Sequence, residues 1–408
     1  MASITPFKIS IPDSRLERLR QKLALTDFPE EIHPDLDANK EAETWSRGAP
    51  LTEIKRLKTY WSQLPQFTVE IEIEGFGSHT VHFVHQRSKV NTTNGVQKAV
   101  PLLFLHGWPG SFIEVSKILP MLVKSAGIEG DVSGPSFHVV APSLIDFGFS
   151  GASRSREFGL GQHAEAYHKL MLALGYSEYV IQSGDLGYLI SRRLCTIYGA
   201  AHIKALHTNS AIPAEPTVET HPTIFNSLQG DPNALTPFDK AGLARTASLF
   251  KDAMGYVALL STKPQTIGYS LTDSPVGLLA WIHEKLHDWA DGYPWSDDEV
   301  LTWVCVHYFS TAGPAAPGRL YYALEHDDSG KSAFESVQGF VDGIPLGISR
   351  LPKDLIILPA AWNHTLGPVV YQREYERGGH FAAWECPCEA VGDLRGLVAR
   401  VGWSGSPM

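Results

Sequence analysis

Three short stretches carry residue types that could do chemistry. In "SGDLG", Ser183 to Gly187, an aspartate stands between small residues placed two before and two after it. That spacing suits an abrupt strand-to-helix turn, where bulky flanks would clash and the apex side chain is lifted above a sheet edge. Asp185 at that apex is an anion at neutral pH, its reference pKa being about 3.9, and can displace a leaving group from carbon without first being deprotonated. A helix N-terminus favours negative charge there. The turn taken alone is equally compatible with an aspartate that merely caps the following helix. In "HGWPG", His106 to Gly110, the backbone N–H of Trp108 pairs with that of Leu186, the residue after Asp185, as candidate donors to a developing oxyanion. His106 itself is read as structural. In "GGHF", Gly378 to Phe381, His380 is a candidate base, and Asp354 in "PKD" is the acid that would orient it. Asp327, Asp328 and Asp342 are rival acids that follow no convincing strand end.

The surrounding sequence indicates what must hold these groups. "VPLLFLHG", "FHVVAPS", "YVIQSGD" and "IKALHTNSAI" are short apolar runs separated by helical stretches, the pattern of strands buried on both faces of a parallel sheet. From about Pro213 the strand signal lapses for roughly a hundred residues of helical pattern. It returns in "PLGISRLPKDLIILPAAW" and "LGPVVYQREYERGGH", and the chain closes on a helix with Val391, Leu394, Leu397, Val398 and Val401 on one face. The nucleophile–acid–histidine order and this element order are those of an α/β-hydrolase. The first ninety residues read as helices and a hairpin: a capping box at Ser14 and Glu17, then Leu16, Leu19 and Leu23 on one face, then "QFTVEIEIEG" and "HTVHFVHQ" joined through Gly75–Gly77. Expected divisions are an extension at 1–90, a core at 91–212 and 326–408, and an inserted helical cap at 213–325.

The bulk composition restricts partners. The chain has 408 residues, 43% hydrophobic and 19% charged, with a net charge of −10 and no basic run, which disfavours nucleic-acid and anionic-membrane partners. No apolar stretch approaches the roughly 18 residues of a membrane span, and "MASITPFKISIPD" lacks an apolar signal core; a soluble, cytoplasmic chain is expected. Cys195, Cys305, Cys386 and Cys388 lack paired zinc-site spacing and are read as reduced thiols, so no metal is expected.

Nearly end to end, the chain resembles the epoxide hydrolases of the microsomal class, particularly the soluble fungal members. The resemblance lies in "PFKISIPDSRLERLRQKLALTDFP", "YWSQLPQF", "HGWPGS", "SGDLG", "STKPQTIGYSLTDSPVGLLAWIHEK" and "GGHFAAWE". It implies an α/β-hydrolase core with a mostly parallel sheet, a helical cap and an N-terminal helical and meander extension. It implies Asp185 as nucleophile, His380 as base and Asp354 as its acid. It also implies two cap tyrosines: Tyr256 in "MGYVALLSTKP" and, two residues after an arginine in "GRLYYALE", Tyr321, with Tyr322 the alternative if the register shifts. Two departures stand out: Ile145-Asp146 where the family commonly has Pro-Gly, and Leu186 where it often has Trp. Both changes fall where the pocket wall is expected.

The implied reaction takes a small-molecule epoxide to a diol through an ester on Asp185, with Tyr256 and Tyr321 protonating the ring oxygen and His380 activating water. It needs no cofactor. A homodimer is expected by resemblance only. Two other readings stay open: a haloalkane dehalogenase-like hydrolase, which also uses an aspartate nucleophile, and a silent α/β-hydrolase scaffold that binds a ligand.

Overall fold

The computed structural model describes residues 3–26, 64–88, 99–124, 134–229, 233–326 and 331–403. Part of "YWSQLPQF" and the rival acids Asp327 and Asp328 lie outside them.

The strands are β1 Thr5–Phe7, β2 Gln66–Ile73, β3 Gly77–Gln86, β4 Val100–Leu105, β5 Phe137–Pro142, β6 Tyr179–Ser183, β7 Ile203–Thr208, β8 Leu346–Arg350 and β9 Val369–Glu374. They form one sheet in the order β1-β2-β3-β5-β4-β6-β7-β8-β9. From β5 to β9 the pairing is parallel, and β1, β2 and β3 extend it antiparallel. The continuous apolar runs have the burial they need: every residue of β4 and β6 is buried. Alternation in β2 gives a strand with one face covered, and β3 returns along it in a hairpin.

The longer helices are α1 Asp13–Ala24, α2 Leu160–Ala173 and α3 Asp185–His202. Between β7 and β8 come α4 Pro222–Gln229, α5 Pro237–Asp252, α6 Gly255–Thr262, α7 Pro264–Asp273, α8 Pro275–Asp288, α9 Asp297–Tyr308 and α10 Gly318–Glu325, and α11 Pro387–Val401 follows β9. Proline at the first helical positions of α5, α7 and α8 starts each helix where its missing N–H costs nothing. In α11, Val391, Leu394, Leu397 and Val398 are buried, as their spacing requires.

The start of α1 differs from expectation. The helix begins at Asp13 behind Pro12, with no side-chain cap, so Ser14 falls inside its first turn. Glu17 instead accepts from Gln21 at 3.1 Å and pairs with Arg20 at 3.5 Å. Proline, with φ already preset, starts the helix and leaves the box unused. Leu16 and Leu19 are half-buried, whereas Leu23 is 43% exposed. The helix is tied to the inserted helices through Arg15 to the Tyr308 carbonyl at 3.2 Å and Lys22 to Asp273 at 2.9 Å.

Candidate active site

β6 ends at Ser183, and α3 begins at Asp185 with no loop between them. Asp185 has a φ of 49°, a left-handed conformation uncommon for a residue with a Cβ. The glycines around it are required by close approach: a methyl on Gly187 would strike the carbonyls of Leu105 and His106, and one on Gly107 would strike the Asp185 side chain. The elbow therefore wedges against the end of β4, which presents the Trp108 N–H to Asp185 Oδ1 at 2.8 Å. Leu186 opens α3 with its N–H in the first turn, where no intrahelical carbonyl can reach it.

His380 Nε2 lies 3.5 Å from Asp185 Oδ2, and its Nδ1 donates to Asp354 Oδ1 at 2.7 Å. The loops carrying the acid and the histidine are joined directly, Lys353 N–H donating to the Gly378 carbonyl at 3.1 Å and His380 N–H to the Trp289 carbonyl at 2.8 Å. Burial works against charge on His380, but Asp354, then Asp185, outweigh it and push its pKa up to about 10. The two carboxyl groups on either side of the imidazole thus favour its protonated form. Asp342, a rival acid, is exposed and spends its carboxylate on the Gly343 N–H at 2.8 Å.

Tyr256 on α6 and Tyr321 on α10 face Asp185 across a cavity of about 260 Å³. Their rings lie 6.1 Å apart, edge to face, and Tyr256 stacks on Trp108 at 5.4 Å. Burial, reinforced by the charge of Asp185, raises the Tyr256 pKa, and Tyr321 is raised by burial and then by Tyr256. The Tyr321 hydroxyl is buried with no partner at hydrogen-bonding geometry. Tyr322, the alternative by register, instead stacks on His326 at 3.9 Å. The rest of the cavity wall is chiefly apolar, including Leu186, Leu189, Ile212, Leu249, Met254 and Phe334. A second void of about 20 Å³, room for one water, touches Asp185, His380, Asn209 and Glu114.

Several residues here had no sequence signal strong enough to find them. Glu114 has its carboxyl pushed up to about 8, chiefly by burial, with His380 opposing and Asp185 adding to the rise. Asn209, just past the end of β7, donates to Asp354 Oδ2 and to the His380 carbonyl, each at 3.4 Å; its place at a parallel-strand end was the available clue. Arg245 on α5 grips the acid loop through the carbonyls of Asp354 and Lys353, both at 2.7 Å. Asp146, expected at the pocket wall, does something else. It is 1% exposed with a φ of 71°, and it accepts from Ser153 N–H at 2.9 Å and Arg319 at 2.8 Å. Arg319 precedes Tyr321 by two residues, so this contact anchors α10 to the core.

His106 is structural in the described geometry. Leu144 N–H donates to its Nε2 at 3.1 Å, which leaves Nδ1 to donate to the Gly107 carbonyl at 2.8 Å, and burial lowers its pKa to about 4. All four cysteines are free, and no metal-binding cluster occurs among the described residues.

Comparisons with known proteins identify relatives of the whole chain. The family described as "Epoxide hydrolase N terminus" matches residues 4–115, and "alpha/beta hydrolase fold" matches residues 100–255. A candidate epoxide hydrolase of Stigmatella aurantiaca is 33% identical over 96% of this chain and 84% of its own length. Epoxide hydrolase 1 of Oryctolagus cuniculus is 30% identical over 98% of this chain and 89% of its own. The solved structure of Aspergillus niger epoxide hydrolase superposes with a TM-score of 0.78 at 31% identity, covering 98% of this chain and 97% of that one. An elbow aspartate within reach of a buried histidine, on a sheet of this order and with relatives alike along nearly its whole length, places the chain in the epoxide hydrolase family of the α/β-hydrolase fold.

Proposed function

We propose that this chain opens uncharged, apolar epoxides to vicinal diols through an ester on Asp185. The observation that carries the reading is the facing of two groups across one apolar cavity: the Asp185 carboxyl between Trp108 N–H and His380, and a pair of buried tyrosines, the Tyr321 hydroxyl having no partner at hydrogen-bonding geometry. Attack by Asp185 breaks the carbon–oxygen bond of the ring, and the departing oxygen takes a proton from Tyr256 or Tyr321. Tyr321 offers the better ground-state fit, since a substrate oxygen would give its hydroxyl a hydrogen bond.

Esterification also prepares the second step. It removes the negative charge of Asp185, one of the two carboxylates that hold a proton on His380. The imidazole's proton affinity then falls, so His380 gives up to solvent the proton it carried and, still oriented by Asp354, can take a proton from water in the small void beside it. Water adds to the ester carbonyl, and its oxyanion is met by the N–H groups of Trp108 and Leu186, a donor of this kind being worth about 3 kcal/mol in other enzymes. The diol leaves with the proton from His380. A halide would use the oxyanion-loop donors but has no need of two phenols, which favours the epoxide over the haloalkane.

Residues 213–325 act in this reading as a lid that carries the phenols. No helix of the described residues is long and apolar enough to cross a membrane. The proposal extends to a cytoplasmic chain that pairs as a homodimer, which sedimentation of the purified protein tests. The activity itself is tested with styrene oxide: the diol should form with wild-type protein and not with Asp185→Asn, and equal diol formation by both would refute the reading.

A further inference from the structure

Lys285 is among the most deeply buried charged groups of the molecule, 5% exposed, although lysine almost never sits fully inside a protein without a partner. Its partner is Glu284, at 2.5 Å. That pairing alone does not require its surroundings. The ammonium lies 5.1 Å from the ring centroid of Tyr256, 5.3 Å from Trp281 and 5.9 Å from Trp289. It is thus boxed by aromatic rings, and one of them belongs to a phenol that faces Asp185.

We infer that Lys285 is a positioning residue for ring opening, its buried ammonium stabilising the negative charge that grows on Tyr256 as the phenol gives its proton to the epoxide oxygen. The inference rests on Tyr256 being a proton donor in the proposed reaction. In that step the Asp185 oxygen bonds to the ring carbon, the carbon–oxygen bond breaks with its electron pair going to oxygen, and that oxygen takes the Tyr256 proton. The phenolate left behind recovers a proton from the Asp185 carboxyl, which ester hydrolysis leaves carrying the second hydrogen of the added water. Burial and the charge of Asp185 both oppose loss of the Tyr256 proton, with the neighbouring Tyr321 hydroxyl working the other way, and Lys285 adds a cation directly on the Tyr256 ring. A cation against a ring face is attracted to a neutral phenol by its quadrupole, and far more strongly to a phenolate. The gain is therefore larger in the transition state than in the resting enzyme, which is the condition for acceleration.

Rapid-quench single turnover separates ester formation from ester hydrolysis by intact mass, using styrene oxide. Lys285→Met, which keeps the stem and removes the charge, should slow ester formation tenfold or more while ester hydrolysis stays within twofold. Lys285→Arg should restore ester formation to within about threefold of wild type. Added to Tyr256→Phe, Lys285→Met should cause no further slowing. The inference is overturned if Lys285→Met forms the ester at the wild-type rate, or slows Tyr256→Phe by the same factor as wild type. If Tyr256→Phe itself is silent, the donor assignment fails first, which is a different result. Should Lys285→Met not fold, Glu284→Gln decides: leaving the ammonium without its counter-charge should not slow ester formation, and slowing would contradict the inference.

Discussion

Asp185, His380 and the two tyrosines each occupy a position whose cost is visible in its geometry. Tyr321 is the clearest case. Its buried hydroxyl meets the Tyr256 phenol without good hydrogen-bonding geometry, so Tyr321→Phe is expected to keep stability within about 1 kcal/mol of wild type while slowing ring opening tenfold or more. Thermal melts and single-turnover kinetics on one preparation check both halves; a loss of stability with unchanged kinetics would make the residue structural. His380→Gln should form the ester and fail to hydrolyse it, leaving an alkylated enzyme visible by mass, whereas normal turnover would exclude His380 as the base. The apex aspartate could be found in the sequence because its glycines must be small for stated reasons: Gly187 against Leu105 and Gly107 against Asp185 itself. The choice of Tyr321 over Tyr322 rested on its spacing from Arg319 and on resemblance, since neighbouring residues on one helix differ in direction, which packing decides.

The elements matter through what they hold at a distance. α10 carries Tyr321 and is fastened to the core by Arg319 on Asp146, a contact spanning 173 residues of chain. Asp146→Asn keeps the side-chain shape but weakens that hold. Because Arg319 is 46% exposed and can turn to water, the stability loss should be about 2 kcal/mol or less, with ester formation slowed severalfold. Unchanged ester formation would mean that α10 is held by its packing alone. The strands and most helices could be read from periodicity, because burial on both faces writes a continuous apolar run and burial on one face writes a stripe. What could not be read were the ties between elements, Arg245 to the acid loop, Asp146 to Arg319 and Lys285 to Tyr256, where a charged residue carries no mark of its distant partner. The misread start of α1 has a local cause: Pro12 supplies the helix entry that Ser14 was expected to provide.

Across the whole molecule, two buried groups of the site tilt stability in the same direction with pH. His380 holds its proton to about 10 in the fold and to about 6.5 in an unfolded chain, so its contribution is complete below about pH 6.5 and is lost as the pH rises through about 10. Glu114 stays neutral to about 8, and the unfolded chain gives up that proton near 4.5, so it subtracts stability progressively from about pH 4.5 to 8. Denaturant unfolding between pH 6 and 9 is therefore expected to show falling stability, with Glu114→Gln more stable than wild type at pH 9 and nearly equal to it at pH 4. A rise of stability across that range would contradict both assignments. The sheet, the inserted helices and these charges converge on one event, the formation and release of an ester at the elbow. Single turnover in heavy-oxygen water tests it most directly: the first diol should carry ordinary oxygen drawn from Asp185, and the label should appear in the Asp185 carboxylate. Label passing straight into that first diol, with Asp185 unlabelled, would mean that water attacks the epoxide and no ester forms.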